Sequence, residues 1–252
     1  MDLQFPASLN DSDIVGVTSP SSGASGPLQP RLDFAVRTVR NAGFEVRMGR
    51  CMNGDGHVSA PAKERAAELQ AMLLDPQVRA IVPPWGSDTA IDLIDLIDLL
   101  DWEAIGSAEP AAGRPCALAR HRTDAVRSKH HPDLAGTRYL DPAPLAALGE
   151  PLIVYVEAAG DDAPTICRNL HGMRLNGFFD DAAAVLVGRI LAPTAPTLTQ
   201  HEASLDALGR LGVPILADVD CEHWAPYLPL INGATALVQH NATVSRITQT
   251  LA

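Results

Sequence analysis

Apolar runs of strand length alternate with apolar-periodic segments of helix length in both halves of this chain. The first run, Asp13–Thr18, is rich in β-branched residues and stops at a turn-rich stretch. Apolar residues then recur at helical spacing at Leu32, Ala35, Val36, Val39 and Ala42. Strands that alternate with helices in this way form βαβ units, whose strands are parallel. The sequence therefore predicts an α/β fold built on parallel sheets.

The alternating pattern stops between residues 107 and 133, where Pro, Gly and basic residues are mixed without a sustained period. Such a stretch is typical of a linker or an irregular excursion. We therefore predict an N-terminal α/β domain over 1–106, an irregular linker over 107–133 and a smaller C-terminal α/β domain over 134–252. The last domain is predicted to end in two antiparallel strands, at Ala236–Val238 and Ala242–Arg246.

Composition excludes several classes of function. A chain of 252 residues that is 46% hydrophobic can bury a sizeable core, and its formal net charge of −11 argues against a nucleic-acid partner. The chain shows neither an apolar stretch of about 20 residues nor the features of a signal peptide, which predicts a cytoplasmic protein without a membrane span. The cysteines have no CxxC pairing and His130-His131 have no ligands at metal spacing, so we predict neither a metal nor a cofactor.

Polar side chains follow three of the apolar strands. They are the WGSDT turn at 85–89, Glu157, and the segment Asp218–His223. In α/β folds, functional groups collect where parallel strands end at their carboxyl edge. A hydroxyl, a carboxylate and an imidazole are the components of a nucleophilic triad. Spacing alone leaves open the alternative that Glu157 merely ends a strand.

A collinear series of segments carries a family resemblance. The segments are SPSS at 19–22, PPWG at 83–86, LDWEA at 100–104, LAGTRY at 134–139, and longer stretches at 153–180 and 213–238. In this order they resemble the LD-carboxypeptidase family of serine peptidases, which includes muramoyltetrapeptide carboxypeptidases and microcin-immunity proteins. The resemblance implies an N-terminal domain with the nucleophile at a strand-to-helix elbow, and a C-terminal domain that supplies a Glu and a His.

The resemblance also implies an activity. Members of the family cleave the amide between an L- and a D-residue of murein tetrapeptide, or hydrolyse related peptide conjugates, without a metal, and they often form homodimers. By position, Glu157 matches the catalytic glutamate of the family and His223 its catalytic histidine. This chain is therefore expected to take a small peptide or peptide conjugate as substrate.

The elbow of this chain departs from the family pattern Gly-Gly-x-x-Ser. Gly86 takes the place of the first glycine, Ser87 the second, and Ala90 the nucleophile. A methyl group cannot attack a carbonyl, so hydrolysis requires a hydroxyl from Ser87 or Thr89. We predict Ser87 as the nucleophile, and we assign substrate and oxyanion binding to the other residues of the turn, Trp85, Gly86, Asp88 and Thr89.

The central part of the chain also departs from the family. Members commonly continue after the LDW helix with a Gly-Tyr-Ser-Asp strand and a Trp-Gly-Gly-Asn segment, and residues 107–133 replace both, so the chain looks internally shortened. Our first prediction is a serine hydrolase. The alternative is a non-catalytic relative that binds a peptide or conjugate, with Ala90 at the nucleophile position. A third reading is a remnant that folds only with a partner.

Overall fold

The computed structural model describes residues 6–24, 26–53, 57–84, 93–97, 100–107, 135–137, 149, 151–157, 160–221 and 225–251. The chain divides into two compact units, Gln4–Ala119 and a second unit that contains Arg120–Ala252. Within the described ranges, no helix is both long enough and apolar enough to cross a bilayer.

The N-terminal unit is built on a parallel sheet. Its described elements are β1 (Ile14–Val17), α1 (Gln29–Asn41), β2 (Glu45–Met48), α2 (Ala62–Leu74), β3 (Val78–Val82), α3 (Ile94–Ile97) and α4 (Trp102–Ser107). The strands lie in the order β2-β1-β3, and both pairings of β1 are parallel. The predicted α/β class with parallel strands is confirmed for this unit.

The strand order fixes where the helices pack. From β1 the chain crosses to β2 on one side and then returns past β1 to β3, so right-handed connections place α1 and α2 on opposite faces of the sheet. Val17 accordingly shares a buried cluster with Leu32 of α1. Gly16 points the other way, since a methyl group there would lie 3.1 Å from Sδ of Met72 in α2. The carboxyl ends of β1 and β3 are therefore a topological switch point, the place where open α/β sheets bind ligands.

The C-terminal unit contains a second parallel sheet and a hairpin. Its described elements are β4 (Leu152–Val156), α5 (Ala163–Leu175), β5 (Ala182–Gly188), α6 (Gln200–Leu208), β6 (Ile215–Val219), β7 (Thr235–His240) and β8 (Ser245–Thr250). The strand order is β4-β5-β6, and both pairings are parallel. Since the strands follow one another in chain order, right-handed connections place α5 and α6 side by side on the same face.

Local signals explain where these two helices begin. The carboxylate of Asp162 accepts a hydrogen bond from the backbone N–H of Thr165 at 3.0 Å, which caps α5. Thr199 and Glu202 form a reciprocal capping box at the start of α6. Caps of this kind satisfy backbone N–H groups that have no partner in the first helical turn. The apolar side of both helices then packs on the sheet, in a buried cluster that includes Ile166, Met173, Val185 and Leu208.

The C-terminal hairpin confirms the predicted antiparallel pair and corrects one of its strands. The second strand was predicted from Ala242, but β8 begins at Ser245. The side chain of Asn241 accepts hydrogen bonds from the backbone N–H groups of Thr243 and Val244, both at 2.9 Å. These contacts hold residues 241–244 as the turn between β7 and β8, because an Asn side chain readily bonds the backbone two residues further on.

Candidate active site

Of the predicted catalytic residues, the structure describes Glu157. For the others it describes the residues that precede and follow them along the chain. The turn Trp85, Gly86, Ser87, Asp88, Thr89, together with Ala90, lies outside the described residues, and so does His223. Strand β3 ends three residues before this turn, and described structure resumes beyond it at Leu93. Cys221 and Ala225 are the described residues on either side of the segment that contains His223.

Glu157 lies at the carboxyl edge of the C-terminal sheet, directly after β4, and it is 4% exposed. A methyl group on Gly188, the last residue of β5, would lie 3.0 Å from Cβ of Glu157 and 3.5 Å from Sγ of Cys221. Cys221 follows β6, and its N–H donates to the carbonyl of Val219 at 2.7 Å. The ends of the three parallel strands therefore converge, and His223 is two positions along the chain from this edge.

We expect Gly188→Ala to lower the free energy of unfolding by about 1–3 kcal/mol, the usual cost of forcing an extra methyl group into a packed site. The 3.0 Å approach to Cβ of Glu157 leaves no room unless β4 or β5 moves. Urea denaturation measures the effect. Gly172→Ala in α5 is the matched control, because its added methyl group meets no heavy atom within 4 Å beyond its chain neighbours and the backbone of its own helix. A helical Gly→Ala change of that kind is expected to stabilise by about 0.5–1 kcal/mol, and equal effects of the two variants would contradict the packing argument.

Arg189 connects the two ends of the segment that contains His223. Its Nη1 lies 3.0 Å from a carboxylate oxygen of Asp220, and its Nη2 donates to the carbonyl of Pro226 at 3.1 Å. Its backbone N–H donates to the carbonyl of Val219 at 3.0 Å. The N–H of Leu228 also donates to the carbonyl of Asp220. These contacts, the Arg189 bridge, fix both ends of residues 221–225 to the centre of the sheet.

A β-bulge at Asp218 changes the direction of β6 just before this segment. Leu186 pairs with Leu216 and Gly188 pairs with Val219, so β6 holds one more residue than β5 over this interval. Asp218 has a φ of 57°, a left-handed conformation that Asp tolerates better than most residues. The Nε2 atom of His201 lies 3.1 Å from both carboxylate oxygens of Asp218. Bulges increase the local twist and redirect side chains next to functional sites.

The carboxyl edge of the N-terminal sheet is a buried polar network organised by α2. Arg65 is 1% exposed, and its guanidinium donates to the carbonyls of Pro20 at 2.6 Å and Ala60 at 2.7 Å. The N–H of Ser59 donates to the carbonyl of Ser21 at 2.9 Å. These bonds fix the loop that leaves β1, the central strand of the sheet, at the edge where the strand order reverses.

Glu68, one turn along α2 from Arg65, fixes the loop that leaves β2. Its carboxylate accepts hydrogen bonds from Oγ1 of Thr18 at 2.6 Å and from the N–H of Cys51 at 3.1 Å. A methyl group on Gly49 would overlap Oε1 of Glu68, so the carboxylate occupies the space that any side chain at 49 would need. Burial, followed by the negative charge of Glu68, raises the pKa of the Cys51 thiol. Cys51 is therefore a protonated thiol and not a nucleophile.

The sequence analysis predicts Glu157 as a site residue, but it does not mark the residues that pack near Glu157 or those that fix the loops at the carboxyl edge of the N-terminal sheet. Gly188 and Arg189 end the central strand β5, whereas Arg65 and Glu68 lie three residues apart on α2. A charged pair at that spacing is typical of a solvated helix face, and only its contacts with distant loops mark it as buried. A glycine at the end of an apolar strand was the one local signal that could have pointed to the close approach at 188.

Each of the two units matches the model of a known protein family. The model for the LD-carboxypeptidase N-terminal domain matches residues 15–112, and the model for the LD-carboxypeptidase C-terminal domain matches residues 132–238. A protein of Bacillus subtilis (strain 168) described as a probable murein peptide carboxypeptidase is 35% identical over 78 residues, which are 31% of this chain and 24% of that protein. A second curated relative, from Vibrio cholerae, is 33% identical over 104 residues, or 41% of this chain and 30% of its own length.

Solved structures show the same fold. The microcin C7 self-immunity protein MccF in its apo state superposes with a TM-score of 0.70 at 16% identity, over 90% of this chain and 92% of that one. Muramoyltetrapeptide carboxypeptidase from Oxalobacter formigenes gives a TM-score of 0.69 at 13% identity, over 93% of this chain and 97% of its own. Because the N-terminal and C-terminal domain models match in this order along the sequence, the chain belongs to the LD-carboxypeptidase family.

Proposed function

We propose that this protein is an LD-carboxypeptidase-like serine hydrolase that cleaves an amide bond in murein tetrapeptide or in a related peptide conjugate. The observation that carries the proposal is the placement of Glu157. Its carboxylate-bearing side chain is buried at the end of β4, packed against Gly188 and next to Cys221. A carboxylate in this position can orient an imidazole presented by the segment that follows β6, where His223 lies in the sequence.

The proposed mechanism assigns one step to each residue. His223 accepts the proton of the Ser87 or Thr89 hydroxyl as that oxygen attacks the scissile carbonyl, and later donates it to the leaving amine. Glu157 stabilises the imidazolium that forms in between. Backbone N–H groups of the turn at 85–89 stabilise the negative charge on the tetrahedral intermediate. Water then attacks the acyl-enzyme by the same proton transfers in reverse and releases the shortened peptide.

The experiment that tests this proposal is intact-mass analysis after incubation with a fluorophosphonate probe. We expect one adduct per chain on the wild-type protein, its loss in either Ser87→Ala or Thr89→Ala, and its loss in His223→Ala. The variant among the first two that loses the adduct identifies the nucleophile. Ser245→Ala, which removes an exposed hydroxyl on β8, is the control and should retain the adduct. A folded wild-type protein without any adduct would contradict the hydrolase proposal.

Ala90 favours a second candidate function, a binding protein without turnover. The family places its nucleophile at this position, and alanine has no group that can attack a carbonyl. Under this alternative, murein tetrapeptide binds with a measurable heat in isothermal titration calorimetry, while mass spectrometry detects no released D-alanine. Ser87→Ala and Thr89→Ala should then leave the affinity unchanged. Release of D-alanine by the wild-type protein excludes this alternative.

The substrate class is narrowed by two kinds of relative. The Bacillus relative is described as a murein peptide carboxypeptidase, and one solved MccF structure is a complex with aspartyl sulfamoyl adenosine. Murein tetrapeptide and an aminoacyl-nucleotide conjugate are therefore the two substrates to compare. The substrate is the one of the two with the higher kcat/KM, measured on the same preparation of the protein.

We further propose that the protein is a cytoplasmic homodimer that binds neither nucleic acid nor membranes. Cys51 and Cys167 are free thiols among the described residues, which is consistent with a reducing compartment. The formal net charge of −11 disfavours binding to phosphate backbones. Light scattering coupled to gel filtration measures the mass in solution, and a mass of one chain at all concentrations would contradict the dimer.

A further inference from the structure

A cysteine, a histidine and an aspartate meet between the two helices of the C-terminal unit. Cys167 and His171 lie one turn apart on α5, and Asp206 lies opposite them on α6. Sγ of Cys167 lies 3.5 Å and Nε2 of His171 lies 2.9 Å from Oδ2 of Asp206. One candidate ligand atom from each residue lies within 4.8 Å of the other two. The proposed hydrolysis uses none of these residues.

The distances fit the coordination sphere of zinc. Tetrahedral zinc, with bonds of about 2.3 Å to sulfur and about 2.1 Å to nitrogen or oxygen, separates a sulfur and an oxygen ligand by about 3.6 Å, and a nitrogen and an oxygen ligand by about 3.4 Å. The observed sulfur–oxygen distance is 3.5 Å. The observed nitrogen–oxygen distance of 2.9 Å is that of a hydrogen bond, and a small rotation of either side chain opens it.

We propose that Cys167, His171 and Asp206 bind one Zn²⁺ ion per chain and thereby join α5 to α6. The three side chains offer a thiolate, an imidazole nitrogen and a carboxylate oxygen, which are the ligand types that zinc takes in proteins. Cys167 and His171 are half-buried and Asp206 is exposed. The open side leaves the fourth coordination position to water.

Zinc binding at this site predicts a proton release. Zinc binds a thiolate, so the ion must displace the proton of the Cys167 thiol into the buffer.

Arg174 disfavours zinc binding at this site. One of its guanidinium nitrogens lies 3.2 Å from Nδ1 of His171. When Nε2 binds zinc, the ring proton of a neutral imidazole sits on Nδ1, which then needs an acceptor and not a donor. Arg174→Gln removes this donor and its positive charge. The variant should therefore bind zinc more tightly, by up to about tenfold, the lower end of the range for outer-shell effects.

The test uses the full reduced chain after removal of metals with a chelator. Calorimetry with Zn²⁺ should give one site per chain, with release of about one proton when the heats are compared in two buffers of different ionisation enthalpy. Co²⁺ should give the visible bands of a tetrahedral site and a near-ultraviolet thiolate-to-metal band. Cys167→Ser should abolish the thiolate band, and Cys167→Ser and Asp206→Asn should each weaken zinc binding more than about tenfold.

The matched control is His201→Gln on α6. His201 and Asp218 form a second histidine–aspartate pair in the same unit, and neither belongs to the group of candidate metal ligands formed by Cys167, His171 and Asp206. The change should therefore leave the zinc affinity and the Co²⁺ spectrum unchanged. Circular dichroism confirms that each variant is folded. Zinc binding that is absent in the wild type, or that is unchanged in Cys167→Ser, overturns the proposal. Weaker binding in Arg174→Gln than in the wild type would contradict the assigned role of His171.

Discussion

Glu157→Gln should lower kcat for the release of D-alanine from murein tetrapeptide by about 10⁴-fold, the loss seen when a triad carboxylate is replaced by its amide. The buried carboxylate is proposed to fix the tautomer of His223 and to stabilise its imidazolium. An amide of the same size carries no charge and presents an N–H group where an acceptor is needed. KM should change little, because the interaction is made mainly in the transition state. Steady-state kinetics with mass-spectrometric detection of D-alanine measures both constants.

Glu202→Gln is the matched control for this experiment. It makes the same chemical change in the same unit, at the third residue of α6, and kcat should stay within about twofold of the wild type. Stability should change by less than about 0.5 kcal/mol, because glutamine also serves at this position of a capping box. Urea denaturation of Glu157→Gln separates lost chemistry from lost folding. A folded Glu157→Gln protein that keeps more than about a tenth of the wild-type kcat would refute the proposed role of Glu157.

Arg65→Met should lower the free energy of unfolding by about 2–4 kcal/mol. The change leaves two carbonyl groups without their donor, and each of them costs about 1–2 kcal/mol. Methionine fills the volume of the side chain but donates no hydrogen bond to Pro20 or Ala60. The loop that leaves β1 is thereby released from α2. Urea denaturation gives the change in stability, and faster proteolysis within residues 18–22 would show that this loop is the part that loosens.

Arg37→Met on α1 provides the comparison, since it removes an exposed guanidinium from the same unit. Surface substitutions of this kind change stability by less than about 0.5 kcal/mol. Equal losses in the two variants would show that charge, and not the hydrogen bonds of Arg65, accounts for the effect. Arg65→Lys restores one donor and should recover part of the stability.

The bounds of α5, Ala163–Leu175, can be read from the sequence because their signals are local. Asp162 as cap, a proline in the first turn and an apolar period of helical length all lie within this segment. For the first helix, the sequence predicts the element but not its packing. The apolar period predicts α1, yet of the residues that carry it Leu32 is buried whereas Ala35 is exposed. Periodicity alone does not reveal what covers a helix.

The candidate site was only partly predictable for the same reason. Glu157 stood out because it ends an apolar strand and matches a family position, and both facts can be read along the chain. Gly188, in contrast, is required by contacts with Glu157 and Cys221, residues 31 and 33 positions away. Arg65 is fixed by a carbonyl 45 residues away in the sequence. Contacts at such separations arise from strand order, which one sequence does not specify.

The Arg189 bridge also bears on how the chain around His223 is ordered before a substrate binds. Asp220 and Leu228 are joined by a hydrogen bond, and Arg189 holds both Asp220 and Pro226. Bringing the two ends of a loop together costs entropy, and this cost grows with the length of the loop. Because these contacts already join the two flanks of the segment on the central strand, the folded protein has met that cost in advance, and the flanks are preorganised.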